Sequence, residues 1–161
     1  MNASQIFQLI PQNQTLFRFI DEILEIDENH IIGTYRFRED EFFYQGHFPD
    51  QPVTPGVILT ETAAQIGLVA FGVYLSSKQI PKDLANQDPG KNNQTFSEGM
   101  AFTSVLMDYL KPVFPGEKVW VKAEKVYFRF QKLKVKIRMY TEDEIVICKG
   151  ELSGMMGRKK L

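Results

Sequence analysis

The chain has 161 residues, which is the length of one domain and enough to bury a hydrophobic core. Hydrophobic residues make up 43% and charged residues 24% of it, as in an ordinary soluble globular protein. The single cysteine, Cys148, excludes an internal disulfide and a multi-thiolate metal site within one chain. Cys148 follows an apolar run, which predicts a buried, unreactive thiol.

Two features of the sequence bear on where in the cell the protein is found. The first residues lack the basic segment of a secretory signal. The longest apolar run, Ile66 to Leu75, is too short to cross a bilayer. We therefore expect a cytoplasmic protein that has neither a membrane nor a nucleic acid as its partner.

Charge is distributed unevenly along the chain. Residues 1–100 hold 6 Lys and Arg against 13 Asp and Glu, whereas residues 101–161 hold 13 against 7. A basic C-terminal third fits either an acidic partner or a solvated strand face, and composition alone leaves both open.

The N-terminal part of the chain predicts a short helix and two strands. The helix covers Ala3 to Leu9, and the strands cover Leu16 to Ile26 and Ile31 to Phe37. His30 sits beside the polar turn between the strands and is expected to be an exposed loop residue rather than a functional one. Phe42 to Pro55 should be irregular, because its prolines block regular hydrogen bonding.

One long helix is predicted from Val57 to about Ser77. Thr54 can cap it and Pro55 suits its first position. The helix is apolar nearly all round, which favours a sheet wrapped around it. The polar stretch from Lys78 to Gly99 reads as a long loop.

The rest of the chain predicts four strands. They are Phe102 to Leu110, Val119 to Phe130 with a bulge near Lys125, Leu133 to Tyr140, and Ile145 to Leu152. One helix on one face of a curved antiparallel sheet is an α+β arrangement, and no boundary divides the chain into domains.

The stretch from Gln45 to Gln65 carries the chemistry. It places His47 in a proline-rich loop ahead of the helix and Glu61 among apolar residues in the helix. An imidazole and a carboxyl group make a serviceable acid–base pair. The N–H groups of Gly56 and Val57, at the positive end of the helix dipole, can hold a carbonyl oxygen that gains charge. Residue types alone leave the alternative open that His47 is a packed loop residue and Glu61 a surface residue.

The same stretch resembles the signature of the 3-hydroxyacyl-[acyl carrier protein] dehydratases. The matching positions, at the family's spacing, are Gly46, His47, Phe48, Pro49, Pro52, Pro55, Gly56, Val57, Glu61 and Gln65. Phe19 to Asp27 resembles the family's first strand, and Lys111 to Glu117 resembles its Pro-Val-Val-Pro-Gly turn. The resemblance covers about residues 10 to 155.

The resemblance implies a single hotdog domain over residues 1–161, with an antiparallel sheet wrapped around one long central helix. It implies a homodimer, with trimers of dimers left open, in which each site takes its histidine from one subunit and its acid from the other. The substrate would be a (3R)-3-hydroxyacyl chain on the phosphopantetheine arm of acyl carrier protein. No metal and no organic cofactor would be used.

Roles for individual residues follow from the resemblance. His47 would take the C2 proton and Glu61 would protonate the departing C3 hydroxyl. Gly56 would hold the thioester carbonyl, and Gln65 would orient Glu61. The remaining expected substrate contacts are Val57, Phe48 and Pro55. Because acyl carrier protein is acidic, the expected docking residues are Lys122, Lys125, Arg129, Lys132, Lys134, Lys136 and Arg138.

Some positions depart from the family pattern. Thr54 stands where Met is common, and Gln12-Asn13 replaces a His-Arg pair. The pathway is therefore open, with bulk fatty acids, a specialised lipid, a polyene or a polyketide as candidate products. Three other functions compete: a hotdog thioesterase, a dehydratase that also isomerises the product, and a non-catalytic acyl-thioester binder. Glu61 argues against the isomerase, whose group carries Asp there.

Overall fold

A computed structural model describes residues 5–6, 16–79 and 100–156 of the chain. These residues form one long helix, α1 (Gly56–Gln79). They also form six strands: β1 (Glu22–Ile26), β2 (His30–Arg36), β3 (Met100–Tyr109), β4 (Lys118–Arg129), β5 (Lys132–Tyr140) and β6 (Val146–Met156). The predicted helix from Ala3 to Leu9 lies outside the described residues apart from Gln5 and Ile6, as does the predicted loop beyond Gln79.

The strands form one antiparallel sheet in the order β1-β2-β4-β5-β6-β3. The predicted bulge is confirmed, since the register of β4 against β5 shifts between Lys125 and Tyr127. The alternation predicted for β5 is also confirmed. Its odd-numbered residues from Leu133 to Met139 are buried, and its basic residues lie on the outer face.

Helix α1 fills the concave side of this sheet. Its middle part, Gln65–Ala70, widens into π-helical turns and contacts β2, β4, β5 and β6. Burial on nearly every side explains why the helix shows no distinct polar stripe. An antiparallel sheet wrapped around one long helix is the hotdog fold, as predicted.

By length and composition alone, α1 could cross a membrane. The 24-residue helix contains an 18-residue window with a mean hydropathy of 1.5. That window is 72% buried inside the protein, as the core helix of a soluble protein would be. The apolar run from Ile66 to Leu75 covers only ten of the 24 residues of this helix, which begins with further apolar residues such as Val57, Ile58 and Leu59.

The predicted strand from Leu16 to Ile26 is wrong over its first half. Only Glu22–Ile26 is a strand. The backbone N–H of Phe19 donates to the side chain of Gln65 in α1 (2.7 Å) instead of joining a strand. His30 is not an exposed loop residue, because it begins β2, is partly buried, and its side chain contacts Glu25 and Asp27.

The predicted cap of the long helix is also wrong. Pro55 itself precedes the first helical residue, and no side-chain hydrogen bond from the described residues caps the helix there. The Thr54 hydroxyl lies 2.6 Å from the hydroxyl of Tyr44 instead of bonding to the first turn of the helix. Cys148 is fully buried, as predicted, and burial raises the pKa of its thiol to about 12.

Candidate active site

The loop that carries His47 is attached to the protein at both ends. Phe42–Gln45 forms one short 3-10 turn, and the Tyr44 hydroxyl of this turn is hydrogen-bonded to Thr54. The backbone N–H of Thr54 donates to the carbonyl of Val113 (2.8 Å). These contacts close the loop on itself and hold it against the segment that follows β3.

A buried carboxylate supports the same loop. Glu41 lies just before the 3-10 turn and accepts a hydrogen bond from the Tyr35 hydroxyl. The Arg38 guanidinium lies 3.6 Å from the same carboxylate and compensates its charge. Burial, together with the bond to Glu41, raises the pKa of Tyr35.

His47 is half-buried and oriented by one backbone bond. Its Nδ1 lies 2.7 Å from the carbonyl oxygen of Val53. Because a carbonyl only accepts, Nδ1 carries the proton in this bond, and the neutral ring keeps its lone pair on Nε2. The Val53 carbonyl is a functional group that the sequence did not indicate, since a backbone carbonyl leaves no signal in residue types.

Phe48, the next residue, has an unusual backbone. Its φ is 56°, in the left-handed region that bulky residues rarely adopt. Its ring packs edge-on against the imidazole of His47, with 4.6 Å between centroids, and is 63% exposed. The strained turn and the ring contact together fix the direction of His47.

The start of α1 presents free backbone donors beside this loop. Gly56 is the first helical residue, so the N–H groups of Gly56 and Val57 have no acceptor within the helix. The Val57 side chain is 73% exposed, while Pro55 and Gly56 are half-buried. This end of the helix can bind a negatively charged oxygen.

Glu61 lies one turn and a half into α1 and is partly buried. One of its carboxylate oxygens, Oε1, accepts a hydrogen bond from Nε2 of Gln65 (2.9 Å). Gln65 is held in turn, because its Nε2 donates to the carbonyl of Phe17 (3.1 Å) and its Oε1 accepts from the N–H of Phe19. Among the described residues nothing bonds to Oε2 of Glu61, which leaves that oxygen available to a ligand.

His47 and Glu61 are not joined within one chain. Both lie in the described range 16–79, and no hydrogen bond or ion pair connects them there. One chain therefore presents a base on a loop and an acid on a helix as separate groups. In the described part of the chain, no three His, Cys, Asp or Glu side chains are grouped to hold a metal ion.

The basic residues of β4 and β5 are distributed over the outer face of the sheet. Three of them form ion pairs, Lys134 with Glu151 at 2.6 Å, Lys122 with Glu124 at 2.9 Å and Lys118 with Glu22 at 3.6 Å. Lys136 and Arg138 are exposed on the same face. The face is therefore partly neutralised, and its docking role stays a prediction.

Comparison with known proteins places the chain in a family. Residues 10–160 match the FabA-like domain. The 3-hydroxyacyl-[acyl-carrier-protein] dehydratase FabZ of Caldicellulosiruptor saccharolyticus is 32% identical over 152 residues, which is 94% of this chain and 95% of the relative. The FabZ of Clostridium perfringens is 29% identical over 161 residues, covering 98% of this chain and 99% of the relative.

Solved structures show the same fold at low sequence identity. The dehydratase heterocomplex ApeI:P of Xenorhabdus doucetiae superposes with a TM-score of 0.71 at 10% identity, over 99% of this chain and 93% of that one. The thioesterase HI1161 of Haemophilus influenzae gives 0.63 at 19% identity, over 98% and 92%. These likenesses define the class as a hotdog-fold protein. Within that class, the chain belongs to the FabA-like family of 3-hydroxyacyl-[acyl-carrier-protein] dehydratases.

Proposed function

We propose that this protein removes water from (3R)-3-hydroxyacyl chains carried on acyl carrier protein and forms the trans-2-enoyl thioester. The observation that carries the proposal is the pair of oriented groups in the signature segment. His47 is held by Val53 with its Nε2 left as a base, and Glu61 is held by Gln65 with one oxygen left for a ligand.

His47 serves as the base. Its Nε2 lone pair removes one proton from C2 of the hydroxyacyl chain, and the electrons of that C–H bond form the C2–C3 double bond. The Nδ1–H bond to the Val53 carbonyl stabilises the imidazolium that forms. The proton stays on His47 until solvent removes it.

Glu61 serves as the acid. Its carboxyl group gives a proton to the C3 hydroxyl as the C3–O bond breaks, so that the oxygen leaves as water. Gln65 keeps Oε1 occupied and so presents Oε2 to the substrate. Water then returns the proton to Glu61 and closes the cycle.

The thioester carbonyl gains negative charge while the C2 proton leaves. The N–H of Gly56 can donate to that oxygen at the positive end of α1, with the N–H of Val57 beside it. Phe48, next to His47, and Pro55, next to Gly56, would make further contacts with the substrate. No metal or organic cofactor takes part in the proposed reaction.

The site is completed by a second copy of the chain. In the part of the chain that the structure describes, edge strand β3 pairs only with β6, and it exposes apolar residues, with Phe102 at 44%, Val105 at 47% and Leu106 at 67%. An exposed apolar edge pairs readily with another strand. Pairing of two β3 strands would cover it and bring His47 of one subunit toward Glu61 of its partner.

The carrier would reach this site from the cytoplasm. Acyl carrier protein is acidic, and the exposed Lys136 and Arg138 offer charges that it can contact. Activity measured across chain lengths would give the chain length of the natural substrate. The same measurement would separate the candidate pathways, which make bulk fatty acids, a specialised lipid, a polyene or a polyketide.

Incubation of the purified protein with carrier-bound 3-hydroxyacyl chains tests the proposal. We expect an enoyl thioester and no free thiol. His47→Ala and Glu61→Gln should each lower the rate by about 10²-fold or more while the dimer stays folded. His30→Ala is the matched control, since His30 is the other histidine of the chain and lies at the start of β2, outside the signature segment. Free thiol without enoyl product would show a thioesterase, and no reaction would show a binder.

A further inference from the structure

The threonines of the first turns of α1 are hydrogen-bonded in two different ways. Thr62 donates to the carbonyl of Ile58, four residues earlier (2.8 Å), which is the usual contact of a helical threonine. The Thr60 hydroxyl instead lies 2.5 Å from the hydroxyl of Tyr109, the last residue of edge strand β3. Thr60 directly precedes Glu61. This hydrogen bond therefore connects α1 to β3 at the residue next to the proposed acid.

The Tyr109 ring makes a second contact with the same turn. A Cβ added to Gly56 would lie 3.2 Å from Cε1 and 3.3 Å from Cζ of this ring. The ring therefore rests on the Cα of the residue whose N–H would hold the thioester carbonyl. One side chain thus spans the helix from Gly56 to Thr60.

The end of β3 is itself fixed in place. The N–H groups of Leu110 and Lys111 both donate to the carbonyl of Ile147 at the start of β6, at 2.8 and 3.1 Å. A few residues on, Val113 accepts the hydrogen bond from Thr54 that holds the His47 loop. The segment from Tyr109 to Val113 therefore contacts both the helix turn and the loop.

From these contacts we propose that Tyr109, acting through Thr60 and Gly56, is a positioning residue that sets where the first turn of α1 presents the Gly56 N–H and the Glu61 carboxylate. This inference rests on the proposed dehydration. Tyr109 contacts Thr60 and Gly56 rather than His47 or Glu61, so loss of its hydroxyl should change the rate of the bound substrate more than substrate affinity.

Four variants test the inference by steady-state dehydration with one 3-hydroxyacyl thioester. Loss of the hydrogen bond in Tyr109→Phe or Thr60→Val should lower kcat about three- to tenfold, with KM within about twofold of the original. The double variant should be no slower than the slower single variant, because both remove the same bond. Thr60→Ser keeps a hydroxyl and should retain most of the rate.

Tyr127→Phe is the matched control. Tyr127 lies on the outer face of β4 opposite Lys134, and its loss of a hydroxyl should leave kcat unchanged. An unchanged kcat in Tyr109→Phe, with only a lower melting temperature, would overturn the positioning role, and so would effects that multiply in the double variant. Absence of enoyl product from the unmodified protein would overturn the proposed function and this inference together. Normal turnover by the unmodified protein, with an unchanged kcat in the Tyr109 and Thr60 variants, would overturn the inference alone.

Discussion

At the scale of single residues, the arrangement of side chains in the candidate site depends most on Gln65. Its side-chain amide is buried and makes three hydrogen bonds, to the N–H of Phe19, to the carbonyl of Phe17 and to Glu61. It thereby ties the segment before β1 to the proposed acid. A residue of this kind stabilises the fold and orients a reactive group at once.

Replacement of Gln65 should affect both properties. In Gln65→Ala the buried N–H of Phe19 loses its acceptor, so the free energy of unfolding should fall by about 1–3 kcal/mol. The rate of dehydration should fall about tenfold, since Glu61 loses the donor that orients it. Denaturant unfolding and steady-state kinetics measure the two effects. The exposed Gln51→Ala is the control and should change neither; an unaltered rate in Gln65→Ala would contradict the orienting role.

Residue types in the sequence could indicate the acid, the base and the helix turn, but not their local partners. Gln65 could be placed one turn from Glu61 by helical spacing, and the structure gives that contact. The pairing of Thr54 with Tyr44, and of Thr60 with Tyr109, could not be predicted, because it depends on which elements meet in the folded chain. The same reason explains the wrong helix cap.

At the scale of elements, the fold depends most on the close approach of α1 to the sheet. Gly67 lies in the middle of the helix, where an added Cβ would be 2.7 Å from Cδ1 of Ile137 and 2.9 Å from Cβ of Ala123. Real side chains do not approach so closely. The sheet can wrap the helix at this distance only because position 67 has no side chain.

Gly67→Ala should therefore destabilise the protein. We expect the free energy of unfolding to fall by about 1–3 kcal/mol from overpacking, despite the better helix propensity of alanine. Gly46→Ala is the control, because Gly46 has a negative φ of −114° and no atom within 4 Å of an added Cβ. Equal stability of the two variants in denaturant unfolding would show that the helix has room at position 67.

Alternating patterns made most strands predictable from the sequence. β5 alternates strictly because one of its faces packs on α1 and the other meets solvent. The segment before Glu22 has a similar apolar content but bonds to a side chain of the helix, which no periodicity reveals. The π-helical turns at Gln65–Ala70 were not predicted either, since they arise from packing against four strands.

At the scale of the whole molecule, the exposed strand β3 determines the expected assembly. Its apolar side chains would be costly to leave in water, and the His47 and Glu61 groups of one chain are not joined. A homodimer paired along β3 accounts for both observations. Pairing by an isologous two-fold axis would create two equivalent sites.

A charge placed on β3 should separate the subunits. Val105→Asp should turn the proposed dimer into a monomer in sedimentation experiments and remove dehydration, because the proposed site takes one group from each chain. Leu24→Asp is the control, since Leu24 is similarly exposed at 50% but lies on β1, at the opposite edge of the sheet. A fully active Val105→Asp monomer would contradict the shared site.

Complementation between inactive chains tests the shared acid–base site most directly. His47→Ala and Glu61→Gln chains are unfolded together, refolded as a mixture and assayed for the enoyl product. If each site takes its histidine from one subunit and its acid from the other, half of the dimers regain one intact site, and about one quarter of the original activity returns. If both groups act within one chain, no dimer in the mixture has an intact site, and the mixture should stay as inactive as either variant alone.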